Sequence, residues 1–223
     1  MLTNQYTPPI FSYLWKHALF MYIPLQYQNK NLEEVKEFLE NNAFATLVSQ
    51  VENRPWATHL PLELETTSTG KEVLTGHIAK RNPQWKYFKG QEQVLAIFNG
   101  PHAYISSSWY HDEEVPTWNY VAVHIYGSLS ILPEEEVMAS LHRLVDKYEA
   151  QSENPISLTR MSDNTLRQVK GVVGFQIDIE EVHAAFKLSQ GREADHARIM
   201  KELHKRDHIG DTEIARHMGR KEP

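Results

Sequence analysis

FATLVSQVENRPWATHLPLELE (44–65) decides the fold. Apolar and polar residues alternate through FATLVSQV (44–51) and again from Trp56 to Leu64, and a period of two is the signature of a half-buried strand. VENRP between them reads as a turn, so the stretch predicts a β-hairpin. Further along, EVLTGHI (72–78) follows the polar loop ETTSTGK (65–71) as a third strand. VLAIFNG (94–100) has the length of a buried strand, and HAYIS (102–106) continues it after Pro101. YVAVHIYGSLSIL (120–132) reads as a long strand bent near Gly127, and VVGFQIDIEEVHAAFKL (172–188) as the last strand system.

Helices are expected between and after these strands. Asn31 caps a helix to Asn42, with Glu33 and Glu34 at the positive end of its dipole and Leu32, Val35, Phe38 and Leu39 on one face. Asn82-Pro83 opens a short helix through Trp85, Tyr87 and Phe88. Pro133 and three glutamates start a helix to Tyr148, whose expected buried face is Val137, Leu141, Leu144, Val145 and Tyr148. SDNTLRQV (162–169) is a shorter capped helix, and the tail from Gly191 reads as two helices divided at Gly210. The fold class is mainly β (α+β), a small closed barrel with peripheral helices and a helical C-terminal tail.

The 223 residues are 41% hydrophobic and 23% charged, ordinary globular usage that excludes wholesale disorder. With no cysteine, a disulfide scaffold, thiolate metal sites and a cysteine nucleophile are excluded. The formal charge of −6 argues against broad coating of nucleic acid but leaves room for one local basic face. MLTNQYTPPIFSYLWKHALF (1–20) lacks the charged start, unbroken apolar run and cleavage site of a signal peptide. It reads as an extension outside the core, with a start codon placed too early; the alternative is an arm packing through Phe11, Leu14, Trp15 and Phe20. The expected organisation is therefore 1–20 extension, 21–190 barrel domain and 191–223 helical tail. No stretch approaches a membrane-spanning length, so no membrane partner is expected, and the cytoplasm is the default compartment.

GxSxG, HExxH, Walker A and GxGxxG are all absent, which argues against a Rossmann site and a P-loop ATPase. His204 and His208 have a metal-compatible spacing, but HKRDH reads better as a solvated face, and no metal site is assigned. Three segments place polar or cationic groups beside aromatics: RPWATHLPL (54–62), GHIAKRNPQW (76–85) and VPTWNYVAVHIYG (115–127). Thr58 and His59 sit mid-strand, where burial would demand partners. Lys80, Arg81 and Asn82 leave a strand and open a helix, a good place to hold an anion. Taken alone, the three segments read equally as hairpin residues, a solvated basic turn and aromatic core.

MYIP (21–24), FATLVSQ (44–50), RPWATHLPL, GHIAKRNPQW, GPHAYISSSWY (100–110), VPTWNYVAVHIYG and FKLSQGR (186–192) occur in the order seen in the PaiB family, and the chain resembles that family from Met21 onward. The resemblance implies an FMN-binding split β-barrel related to pyridoxamine 5′-phosphate oxidase. It also implies a negative regulator of transcription linked to protease synthesis and sporulation, and a homodimer with FMN at the subunit interface. By the same resemblance, Thr58, His59, Leu60 and Pro61 run beside the flavin, and His77, Ala79, Lys80, Arg81 and Asn82 occupy the phosphate-binding stretch. The pyridoxamine oxidases carry an arginine where Thr58 stands and hydroxyls where His77 and Ala79 stand, so phosphate binding here would lean on Lys80, Thr58, Asn82 and backbone N–H groups. Lys187, Ser189 and Gln190 are candidate interface or ring-edge contacts, and Trp118 and Asn119 candidate borders of the isoalloxazine, with core packing open for Trp118. A flavin carries its own electron chemistry, so no catalytic residue is named.

The alternatives are a flavin-dependent oxidoreductase acting on a small molecule and a haem-binding or haem-degrading split barrel. The second is suggested by four histidines in the tail. DNA and a regulatory protein are the candidate partners for a regulator. DTEIARHMGRK (211–221) resembles a helix-turn-helix second helix, but its charge is nearly balanced, and Ile199, Met200 and Leu203 in the preceding helix are suited to docking.

Overall fold

A computed structural model describes residues 21–90 and 92–220. The expectations for 1–20, an extension or an arm packed through Phe11, Leu14, Trp15 and Phe20, lie outside the described residues. Among those described, six strands close into an antiparallel barrel in the order β1-β2-β3-β6-β5-β4. They are β1 Phe44–Val51, β2 Arg54–Thr66, β3 Glu72–Ala79, β4 Glu92–Ile105, β5 Thr117–Ile131 and β6 Val172–Lys187. The helices are α1 Leu32–Asn41, α2 Glu134–Glu149, α3 Asp163–Leu166, α4 His196–Lys205 and α5 Ile209–Gly219.

The expected hairpin is tighter than VENRP suggested. β1 and β2 pair from Phe44 opposite Pro61 to Val51 opposite Arg54, leaving only Glu52 and Asn53 as the turn. Both have positive φ (50° and 62°), the backbone that a two-residue hairpin turn needs to match strand twist. Alternation in β1 buries Ala45, Leu47, Ser49 and Val51, as the period of two requires.

The chain divides into two compact units, each assembled from separate segments. The first holds residues 39–97 and 125–182. Leu39, Leu47, Leu62, Leu74, Ile125, Leu129 and Ile177 are among its fully buried aliphatic side chains. α2 does not bury the five-residue stripe expected of it: only Val137 is buried, and Tyr148 is 50% exposed. The helix lies on the sheet's outer side, where Gly174 admits Val137 (a Cβ there would meet Val137 Cγ2 at 2.5 Å). Polar pairs hold the rest: Arg143 to Glu65 at 2.9 and 2.7 Å, Lys147 to Glu63 at 2.5 Å, and the Tyr148 hydroxyl to Glu63 at 2.8 Å.

The second unit holds residues 21–38, 98–124 and 183–220 of the described chain. Phe38 packs edge-on against Phe186 with ring centres 5.8 Å apart. The tail belongs to this unit, with Ile199, Leu203, Ile214 and Met218 fully buried. Its two helices divide at Arg206–His208 rather than at Gly210. Asp207 turns the chain at φ 50°, and the His208 ring accepts a hydrogen bond from the Gly210 N–H at 3.2 Å, capping α5. Gly210 sits in the first turn of α5, where a side chain would meet the His102 carbonyl at 3.0 Å.

Candidate functional site

In the first unit, the end of β3 and the following 3-10 turn, Pro83–Tyr87, are fastened to β1 and β2 by one amide. Asn82 caps the turn by accepting the Gln84 N–H at 3.1 Å, which aims the Gln84 side chain inward. Thr58 donates its hydroxyl proton to Gln84 Oε1 at 2.6 Å and accepts from Asn82 Nδ2 at 2.9 Å. Gln84 Nε2 donates to Ser49 Oγ at 3.0 Å and to the Trp56 carbonyl at 3.3 Å. Gln84 is completely buried, so this satisfied network is what makes its burial tolerable. The sequence reading missed Gln84 and Ser49; the Asn-Pro cap two residues before Gln84 was the available signal.

The structure brings Thr58 and Asn82 together, while the neighbouring candidates differ in exposure and partners. Leu60 is buried in the core, whereas Pro61 is half-buried opposite Phe44 in the hairpin. His59 is exposed, stacked on Phe44 with ring centres 6.4 Å apart and with Nδ1 3.0 Å from Thr46 Oγ1. His77 is half-buried, and burial holds its pKa below the ordinary histidine value. Ala79, Lys80 and Arg81 are exposed, and neither cation meets a carboxylate among the described residues. The Lys80 backbone is fixed by its N–H to Gly171 O at 2.8 Å and its carbonyl to Trp85 Nε1 at 2.9 Å. Lys80, Trp85 and Lys170 line a cavity of about 220 Å³ with valine walls.

In the second unit, Asn119 is completely buried and exchanges two hydrogen bonds with Ser189. Asn119 Nδ2 donates to Ser189 Oγ at 2.9 Å, and that hydroxyl donates to Asn119 Oδ1 at 3.2 Å. Ser189 (φ 61°) and Gly191 (φ 79°) reverse the chain here, leaving Ser189 buried under a cavity of about 420 Å³. Tyr27, Tyr110, Lys187, Gln190 and Arg192 line the same cavity. Lys187 bonds the Thr117 hydroxyl and lies over the Tyr27 ring at 5.6 Å, and desolvation lowers its pKa. Its partners among the described residues are thus a hydroxyl and a ring, while Arg192 is paired with Glu114. Gln190 is bound to the main chain, accepting from Leu188 N at 2.8 Å and donating to the Phe186 carbonyl at 2.5 Å. Trp118 is 54% exposed, beside His102 and Tyr104, which settles against core packing. Tyr27, Tyr110 and Arg192 were not singled out from sequence, although they lie in or beside the quoted motifs.

Four exposed arginines of the tail are engaged within its own unit. Arg198 donates to the Ser108 carbonyl at 2.7 Å, and Arg206 donates to the Tyr104 carbonyl at 2.8 Å while lying over Trp109. Arg216 pairs with Glu213, and Arg220 with Glu37 at 3.1 Å. The tail histidines are similarly engaged. His196 meets the Ser189 carbonyl at 3.0 Å, His204 the Met200 carbonyl at 2.7 Å, and His217 packs edge-on against Phe186. Among the described residues, no group of three or more histidines, cysteines or carboxylates is placed to hold a metal, and no helix is long and apolar enough to cross a membrane.

This six-stranded barrel with peripheral helices is the flavoprotein split-barrel architecture. The FAD- and haem-binding protein of Mycobacterium smegmatis superposes with a TM-score of 0.57 at 11% identity, covering 72% of this chain and 73% of that one. The flavocytochrome Anf3 of Azotobacter vinelandii gives 0.55 at 14% identity, covering 70% and 67%. Residues 21–181 match the family model described as "Putative FMN-binding domain". The Bacillus subtilis protein named "Protease synthase and sporulation protein PAI 2" is 43% identical over 197 residues, 87% of this chain and 95% of that protein. The chain belongs to the PaiB family of FMN-binding split-barrel proteins. FMN is the cofactor of this family, and the donors present suit it chemically: cations without a carboxylate partner among the described residues for a phosphate, and a polar cavity with a lysine for a ring edge.

Proposed function

We propose that the protein is an FMN-binding regulator of the PaiB type, acting as a homodimer in the control of protease synthesis and sporulation. The observation that carries the flavin site is Lys187, a partly buried cation without a carboxylate partner among the described residues, in a cavity of about 420 Å³ flanked by Tyr27 and Tyr110. That volume lies within the roughly 300–1,000 Å³ of small-molecule sites. Lys187 and Ser189 are assigned to the ring edge, with Gln190 shaping the turn that presents them. Lys80 and Arg81 are assigned to the phosphate, held in place by Asn82 and the fixed backbone at the end of β3. Thr58 acts as a positioning residue, since its proton already goes to Gln84. When bound, FMN supplies the one- and two-electron chemistry, and the protein supplies its orientation and access.

Exposed apolar side chains on the β1–β2 hairpin, Phe44 (69% exposed) and Trp56 (38%), support pairing with a second copy. The PAI 2 name supports the regulatory reading. Because Arg198 and Arg206 are bound to main-chain carbonyls and Arg216 and Arg220 to glutamates, the regulatory effect is assigned to a protein partner or to metabolism rather than to a recognition helix, and the cytoplasm is the proposed compartment.

The absorbance spectrum of the purified protein, taken before and after FMN is added and excess removed, tests the cofactor. Flavin bands that remain with a species of twice the chain mass are expected. A colourless monomer would overturn the proposal, and a Soret band after haem is added would favour the haem alternative. Duplex binding that falls steeply with salt would replace the indirect role with a direct one.

A further inference from the structure

A larger cavity lies apart from the groups assigned to the flavin, in the first unit beneath α2. It measures about 550 Å³ and is lined by the end of β2, the following loop, β3, β6 and α2. Thr75, in the middle of β3, lines it and is 4% exposed, and its hydroxyl has no hydrogen-bond partner among the described residues. β3 places Thr75 between Glu63 on β2 and Gln176 on β6, which fixes its backbone in the sheet. Buried hydroxyls in folded proteins are satisfied, by the protein, by water or by a ligand.

The surrounding chemistry limits what that ligand can be. Thr66 and Ser68 add hydroxyls that can both donate and accept, and Gln176, whose Nε2 already donates to Asp178 at 2.9 Å, adds its amide oxygen as an acceptor. Arg143 is held bidentate by Glu65 at 2.9 and 2.7 Å, a pair that neutralises itself. Glu136 adds an exposed carboxylate at the rim, which disfavours phosphates and carboxylates. Val73, Leu132 and Ala139 supply apolar wall. A neutral ring bearing several hydroxyls on a C–H frame satisfies both halves of this lining. We propose that the cavity beneath α2 is a binding site for a small polyhydroxylated molecule of the monosaccharide class, with the Thr75 hydroxyl as its buried anchor.

The test uses the full-length protein, saturated with FMN so that the flavin site is filled, and saturation-transfer NMR with glucose, ribose and myo-inositol as probes. Transfer to at least one probe is expected. Thr75→Val keeps the side-chain shape and removes the hydroxyl; at least a tenfold weaker affinity is expected, with an unchanged or raised melting temperature. Ala139→Met projects a longer side chain from the α2 wall into the cavity, should abolish transfer as well, and decides the matter alone if Thr75→Val does not fold. Absence of transfer to every probe would mean a cavity that holds only water and would overturn the proposal. Transfer that persists undiminished in a folded variant of either kind would place the binding elsewhere and overturn it equally.

Discussion

Thr58 and Gln84 stand 26 positions apart in the chain and share a 2.6 Å hydrogen bond, with the threonine hydroxyl donating to the glutamine oxygen. The other half of the same amide reaches Ser49 and the Trp56 carbonyl. One buried side chain thereby ties the turn after β3 to both strands of the first hairpin. This fixes where the chain leaves β3, and hence where Lys80 and Arg81 present their charges.

Gln84→Ala is expected to destabilise the protein by about 2–3 kcal/mol, because it leaves Thr58, Ser49 and a buried carbonyl short of partners. Urea denaturation monitored by tryptophan fluorescence measures this, and a loss below about 0.5 kcal/mol would mean that water replaces the amide. FMN affinity should fall in parallel, since the network holds the cationic turn in position.

Lys80→Ala is expected to weaken FMN by about 1–3 kcal/mol, roughly 5- to 150-fold in Kd, if the lysine makes a charge-assisted bond to the phosphate. The exposed position of Lys80 predicts no accompanying change in the urea midpoint. Riboflavin, which lacks the phosphate, supplies the control: its affinity should be equal in the two proteins. An unchanged FMN affinity would remove Lys80 from the phosphate site.

Much of this organisation was legible in the residues. Every barrel strand was expected within a few residues of its position, because half-buried strands impose a period of two that survives without tertiary information. Tertiary support was not legible. Lys147, Arg143 and Tyr148 reach glutamates on β2, so α2 needs less apolar burial than its stripe of Val137, Leu141, Leu144, Val145 and Tyr148 suggested. The tail break was placed at Gly210 because glycine commonly ends helices, but this glycine serves close packing against the His102 carbonyl. The Asn82-Pro83 cap marks the turn that carries Gln84, but the Trp56 carbonyl and Ser49 to which its amide donates lie 28 and 35 positions away, and no local pattern encodes such a distance. The resemblance marks Lys187, Ser189 and Asn119, but only the fold shows that Ser189 and Asn119 bind each other.

Gly127 was expected to bend β5, and the structure gives the glycine a more specific reason. A Cβ at this position would lie 2.2 Å from the Asp178 carbonyl oxygen on the neighbouring strand β6. A backbone atom cannot yield as a flexible side chain can, so even one methyl group must push the strands apart. Gly127→Ala is expected to cost about 3 kcal/mol, at the upper end of ordinary overpacking. Gly70→Ala is unsuitable as a matched control because its φ is 83°, whereas Gly171 has open space and no positive φ. Gly171→Ala should therefore leave stability nearly unchanged. Equal melting temperatures for the two variants would show that the β5–β6 contact relaxes.

Acid should destabilise the protein through histidines that the fold keeps neutral. Burial lowers the pKa of His77, His124 and His217, with the nearby Arg216 and Arg220 adding to the effect at His217 and His183 at His124. Between each lowered folded value and the unfolded value of about 6.5, the unfolded chain binds more protons, so stability rises with pH. The contribution is complete above the unfolded value and is lost as pH falls toward and through the folded one. His217 offers the clearest single test, because its Nδ1 is buried without a partner and its ring packs on Phe186. His217→Leu should leave stability at pH 7.5 unchanged or slightly higher and should reduce the loss on acidification to pH 5.5, as read from urea midpoints at the two values. A variant that loses as much stability as the parent over that interval would assign the acid sensitivity to the other histidines, and one destabilised at pH 7.5 would show that the His217 ring makes a polar contact worth more than its desolvation.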